Sequence, residues 1–166
     1  MNASLHVHCG AGTGSARASN SSGLDRWVPP LAGWIKVNVD AAYNPSRSAA
    51  AMVVRDASGR LLFLSSALLT SQSPFEAELS ALHWSSEFAE RGGWTNGVWE
   101  MDALEVVKEI ESSSGPHCRI CNMIADAAAK ETLVSGSCFE VDEFSLEKLP
   151  PSLLVSILAE QDSAGL

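Results

Sequence analysis

The stretch WIKVNVDAAY, Trp34 to Tyr43, alternates strictly as far as Asp40. Ile35, Val37 and Val39 share one side and Trp34, Lys36, Asn38 and Asp40 the other, the period of a β-strand with one buried face. Asp40 therefore closes the polar face of a strand running from Trp34 to Asp40. Downstream, an apolar run from Ala49 to Arg55, the turn residues Asp56-Ala57-Ser58-Gly59 and a run from Leu61 to Ser66 read as an antiparallel hairpin. A helix follows with three start signals: Ser73 as cap, Pro74 in the first position and Glu76 completing a Ser-x-x-Glu box. It should reach Arg91, ahead of Gly92-Gly93, with Phe75, Leu79, Leu82 and Ala89 as its apolar stripe and Glu78 inside that stripe. Gly97 to Asp102 reads as a fourth strand that puts Val98, Glu100 and Asp102 on one face, and a second helix spans about Ala103 to Ser112. The order β-β-β-α-β-α predicts an α/β protein. Past the linker Ser112-Ser113-Ser114-Gly115-Pro116, an Ala-rich helix from about Arg119 to Thr132 aligns Arg119, Asn122, Asp126 and Lys130 opposite Ile120, Ile124 and Ala128. The tail is weakly patterned until Pro150-Pro151 and a short apolar helix, Leu153 to Leu158.

On the other side of Trp34, residues 1–26 are rich in Ser, Gly, Ala and Asn and show no apolar period, so they are expected to be a disordered leader before a single domain at 27–166. The glycines of GAGTGS lack the Gly-Lys-Ser/Thr of a phosphate loop. With 46% hydrophobic residues in 166, the chain is long enough to bury a core. No apolar run approaches the roughly 20 residues of a membrane span, and MNASLHVHCG lacks the charged start and apolar block of a secretory signal. The expectation is an intracellular protein of the nucleus or cytoplasm, monomeric, with no membrane partner. Four cysteines are too few for a disulfide framework, and Cys118-x-x-Cys121 with His117 has no second cysteine pair at zinc-ribbon spacing. The net charge of −9, from 11 Lys and Arg against 20 Asp and Glu, excludes a broad cationic surface for phosphates. Any nucleic-acid contact must be local or mediated by metal ions.

Four acidic residues stand where such ions could be held: Asp40, Glu78, Asp102 and Asp126. A strand-end Asp, a core-side helix Glu and a second strand-end Asp supply the oxygen ligands that hard divalent cations take. Two such cations can activate a water and stabilise the leaving oxygen of a phosphodiester. Without metal the clustered carboxylates repel, and one or more would hold a proton. Taken singly, each residue has a blander reading. Asp102 in particular is placed to cap the helix starting at Ala103.

The segments WVPPLAGWIKVNVD, VVRDASGRLL, EAELSAL, WEMDALEVVKEI and RICNMIADAAAKE, in this order, closely resemble the ribonuclease H-like domain abundant in plants and often derived from non-LTR retroelements. The closing LPPSLLVSILAEQD is similar to that family's tail. The resemblance implies a mixed sheet of strand order 3-2-1-4-5 flanked by helices. It also implies hydrolysis of the RNA strand of RNA/DNA hybrids with Mg²⁺ (or Mn²⁺) as cofactor. Asp40, Glu78 and Asp102 match the family's first three metal-binding carboxylates, and Asp126, within Arg119-x-x-Asn122-x-x-Ala125-Asp126, matches the fourth. Two departures bear on activity. Ala41 and Ala49-Ala50-Ala51 replace usual glycines, and the short linker before Arg119 leaves no room for the family's further helix and fifth strand, so the last helix is expected to fall short of the other carboxylates. A rival alignment makes Ile120–Thr132 the penultimate helix and Ser137–Val141 strand five, with the fourth carboxylate absent. The competing function is a catalytically inactive remnant that binds nucleic acid or protein.

Overall fold

The computed structural model describes residues 4–7, 28–106 and 123–164. Its elements are β1 (Ser4–Val7), β2 (Ile35–Asn44), β3 (Arg47–Arg55), β4 (Leu61–Leu69), α1 (Pro74–Arg91), β5 (Asn96–Glu100), α2 (Met123–Ser135), β6 (Glu140–Asp142) and α3 (Pro151–Ala164). All six strands join one sheet in the order β1-β5-β2-β3-β4-β6. β2, β3 and β4 are antiparallel neighbours, whereas β5 runs parallel to β2 on one side and to β1 on the other. The expected order 3-2-1-4-5 is thus present as β4-β3-β2-β5-β1, but its fifth place is filled from the N-terminal end of the chain. Four residues of the expected leader are that strand; the rest of residues 1–26 lie outside the described residues. β6 pairs antiparallel with β4 at the opposite edge, so the rival alignment, which needs it beside β5, is excluded.

β2 runs past Asp40 to Asn44 because the chain turns back only there: Asn44 Oδ1 accepts the N–H groups of Ser46 and Arg47, both at 2.9 Å, and closes a tight Asx turn. Asp40 is therefore an interior residue of β2 rather than its last. α1 starts as expected. Glu76 N–H donates to Ser73 Oγ at 3.1 Å, and the Glu76 carboxylate reaches back to the N–H of Gln72 at 2.7 Å.

The stripe of α1 differs from expectation. Its buried residues are Ala77, Ala81, Leu82, Ser85 and Ala89, while Phe75 and Leu79 are 39% and 41% exposed. Leu82 and Ala89 are buried as expected, but the first half of the helix lies close on the sheet through Ala77 and Ala81, which leaves Phe75 and Leu79 outside. The same device serves the other face, where α2 buries Ile124, Ala125, Ala128 and Ala129 against Ala51 and Val53 of β3, and α3 adds Leu153 and Ile157. Ala49, Ala50 and Ala51, where glycine was expected, are completely buried between these layers. A methyl group fills the gap that glycine would leave. Among the described residues, no helix is long and apolar enough to cross a membrane.

Trp84, Trp94 and Trp99 pack in the α1-side core. Trp99 is the keystone of β5: its Nε1–H donates to the buried Ser85 Oγ at 3.2 Å, and its ring lies over Gly97. A Cβ at Gly97 would come within 2.5 and 2.9 Å of two carbons of that ring. Gly97→Ala is therefore expected to destabilise the protein by about 1–3 kcal/mol through overpacking, read as a lower urea midpoint with an unchanged slope.

Candidate metal centre

The strand register brings two of the four carboxylates together. β2 and β5 pair in parallel up to Asn38 opposite Glu100, and the two chains then separate. Asp40 and Asp102 each lie two residues beyond that last pair, so Asp102, just past the end of β5, comes beside Asp40, which stays within β2 opposite Ala51 of β3. Glu78 comes from the second turn of α1, on the side of the helix that also carries Leu82 and Ser85, and closes the group from above. Carboxylate oxygens of Asp40, Glu78 and Asp102 all lie within 4.8 Å of one another.

The electrostatics of this group follow from burial. Asp40 is only 5% exposed. Its carboxyl is pushed up to about 8, first by burial, then by the charges of Glu78, Asp102 and Asp126, against the opposing Ala41 N–H, which donates to Asp40 Oδ1 at 3.0 Å. Glu78 is also pushed up to about 8, first by burial and then by Asp102, while the Ala41 N–H pulls the other way and Asp126 adds to the rise. Ala41, a departure from the family pattern in its side chain, thus serves the site with its backbone. Glu78 Oε2 is buried and, among the described residues, has no hydrogen-bond partner. An orphaned buried oxygen facing two more carboxylates fits a hard divalent cation, which would satisfy the oxygen and remove the repulsion.

Asp126 is placed differently. It lies near the start of α2, close enough for its charge to raise both Asp40 and Glu78, yet it is not one of the three residues whose oxygens converge. The helix nonetheless docks on β2 and β3 through its alanine face, which brings Asp126 near enough to act on the group by charge while leaving it outside the converging three. Asp126 instead pairs with a cation on its own helix. Lys130 Nζ lies 2.6 Å from Oδ1 and 2.7 Å from Oδ2. The sequence placed both residues on one helical stripe without signalling that they pair. Arg119, Asn122, His117, Cys118 and Cys121 lie outside the described residues, as does most of the helix expected from Ala103 to Ser112.

Sequence reasoning also missed a polar network on the same sheet face as Asp40. Lys36 Nζ is 2.6 Å from Glu100 Oε1, Asn38 Nδ2 donates to Glu100 Oε2 at 3.2 Å, and Arg55 Nη1 donates to Asn38 Oδ1 at 3.4 Å. Lys36, Asn38 and Arg55 are all buried, so these bonds compensate charges that would otherwise be costly. The signal was available in the register, which sets Lys36 against Arg55 and Asn38 against Glu100.

A family model described as reverse transcriptase-like matches residues 38–130. No curated protein matches the chain. Among solved structures, the chain is similar to LC11-RNase H1, crystallised in complex with an RNA/DNA hybrid, with 19% identity, a TM-score of 0.40 and coverage of 61% of this chain and 76% of that one. It is also similar to the foamy viral protease-reverse transcriptase, likewise in complex with an RNA/DNA hybrid, with 12% identity, a TM-score of 0.37 and coverage of 93% of this chain and 18% of that one.

Raised carboxyls have a stability consequence. For Asp40 and Glu78 the folded state is favoured fully below the unfolded carboxyl range, about pH 4, and that contribution is lost as pH rises through about 8. In EDTA, Asp40→Asn is expected to stabilise the protein by about 2–4 kcal/mol at alkaline pH and to have little effect at about pH 4. Urea unfolding at the two pH values checks this; an equal effect at both would contradict it.

Proposed function

Because the chain belongs to the reverse transcriptase-like family, whose fold is that of ribonuclease H, we propose that it hydrolyses the RNA strand of RNA/DNA hybrids. The observation that carries this reading is the convergence of Asp40, Glu78 and Asp102 around an unsatisfied buried oxygen. Those three residues would hold Mg²⁺ or Mn²⁺, with Asp126 as a fourth ligand. When bound, such ions supply activation of a water and stabilisation of the leaving oxygen in phosphodiester hydrolysis. The protein's own part is to fix the ligands. The β2–β5 register aligns Asp40 with Asp102, the Ala41 N–H orients Asp40, and α1 presses Glu78 inward with its second oxygen free.

Substrate choice follows from what the chain lacks as well as what it has. With a net charge of −9, affinity for a phosphate backbone must come from the ions and a few local contacts, which favours reading the hybrid by shape and its 2′-hydroxyls. A hybrid strand laid across the carboxylate end of β2 and β5 brings a phosphodiester to Asp40 and Asp102. The strand order that creates this end is complete because β1 fills the fifth position.

The test is cleavage of a labelled RNA/DNA hybrid by the full chain in Mg²⁺ or Mn²⁺. Asp40→Asn and Asp102→Asn are each expected to lower the rate by about 100-fold or more while leaving the far-UV spectrum intact. Cleavage that persists unchanged in Asp40→Asn would contradict the assignment. Hybrid binding without turnover in either metal would favour the inactive binding module instead.

A further inference from the structure

Lys130 and Asp126 sit one turn apart on α2, and the ammonium lies within hydrogen-bond distance of both carboxylate oxygens, 2.6 Å from one and 2.7 Å from the other. The ammonium therefore lies against both of the oxygens through which Asp126 would hold a metal ion. Among the described residues, no comparable ion pair ties up Asp40, Glu78 or Asp102, whose oxygens point at one another instead. The pair is also placed to open. The lysine side chain is 66% exposed and the aspartate 44%, whereas Ile124, Ala125, Ala128 and Ala129 anchor the helix beneath them. An exposed lysine pair is weak and readily exchanged, and the helix does not have to move for the ammonium to leave.

We propose that Lys130 is a built-in counter-cation that occupies Asp126 in the metal-free protein and must release it before a second divalent ion can bind. This rests on the reading of Asp40, Glu78 and Asp102 as the first ion's ligands. Lys130 is a positioning residue in this scheme: it acts through Asp126 by competing with the ion for the same two oxygens. The consequence is ordered loading. The first ion enters the three converging carboxylates, and the second, which needs Asp126, binds more weakly because it has to displace a tethered charge.

The experiment is titration of the full chain with Mn²⁺ alone, following free Mn²⁺ by electron paramagnetic resonance. Wild type should show one tighter and one weaker site, and Asp126→Asn should lose the weaker one. Lys130→Met is expected to tighten the weaker site about three- to fivefold, the range an exposed ion pair can account for. Lys130→Arg, which keeps the pair, should follow wild type. Lys148→Met removes the same charge beside Asp142 and should also follow wild type, which separates release of Asp126 from a change in net charge. If Lys130→Met superimposes on wild type, or tightens no more than Lys148→Met, the counter-cation role is overturned. Should that happen while Asp40→Asn still abolishes the tighter site, the metal centre itself stands. An unchanged isotherm in Asp40→Asn overturns the metal centre, and the counter-cation role with it.

Discussion

Three carboxylates held with oxygens within 4.8 Å of one another repel when ionised, and the fold fixes them there. The restraint comes from both sides. The β2–β5 register fixes Asp102, just past β5, beside Asp40 of β2, and the close seat of α1 on Ala50 and Met52 fixes Glu78 above them. Neither restraint could yield without breaking strand pairing or opening the core, so burial first, and the neighbouring charges second, push the Asp40 and Glu78 carboxyls up to about 8. A site of this kind trades stability for readiness to bind a cation.

Small side chains make that geometry possible. Alanines line both helix-sheet interfaces, from Ala77 and Ala81 on α1 to Ala125, Ala128 and Ala129 on α2, facing Ala50 and Ala51 back to back on β3. With larger residues there the helices would stand off, and Glu78 and Asp126 would recede from Asp40. The alanines that replace the family's usual glycines on β3 are consistent with the same close packing.

Much of this was legible in the sequence, for identifiable reasons. Strand alternation from Ile35 and the Ser73-Pro74-Glu76 start are local signals, and they survive folding almost unchanged. Asp40, Glu78 and Asp102 could be singled out because each sits at the end or on the inner side of such an element. Of the α1 stripe, Leu82 and Ala89 were placed correctly, but Phe75 and Leu79 were chosen for size where the interface selects for smallness and leaves them outside. The role of Ser4–Val7 was hidden for a different reason. A four-residue edge strand takes its identity from its neighbour β5, far along the chain, and carries no period of its own. The sequence set Lys130 and Asp126 four apart on one helical stripe, but that the pair lies near the other carboxylates is visible only once α2 is docked.

The central claim is that the buried group of Asp40, Glu78 and Asp102 takes up a divalent cation in exchange for the protons that burial favours on Asp40 and Glu78. Calorimetric titration with Mn²⁺ at neutral pH, repeated in buffers of different ionisation enthalpy, counts the protons released on binding. The account predicts a release of between about one and two protons at pH 7, falling toward zero above about pH 9. Mn²⁺ binding with no proton release at pH 7 would contradict it.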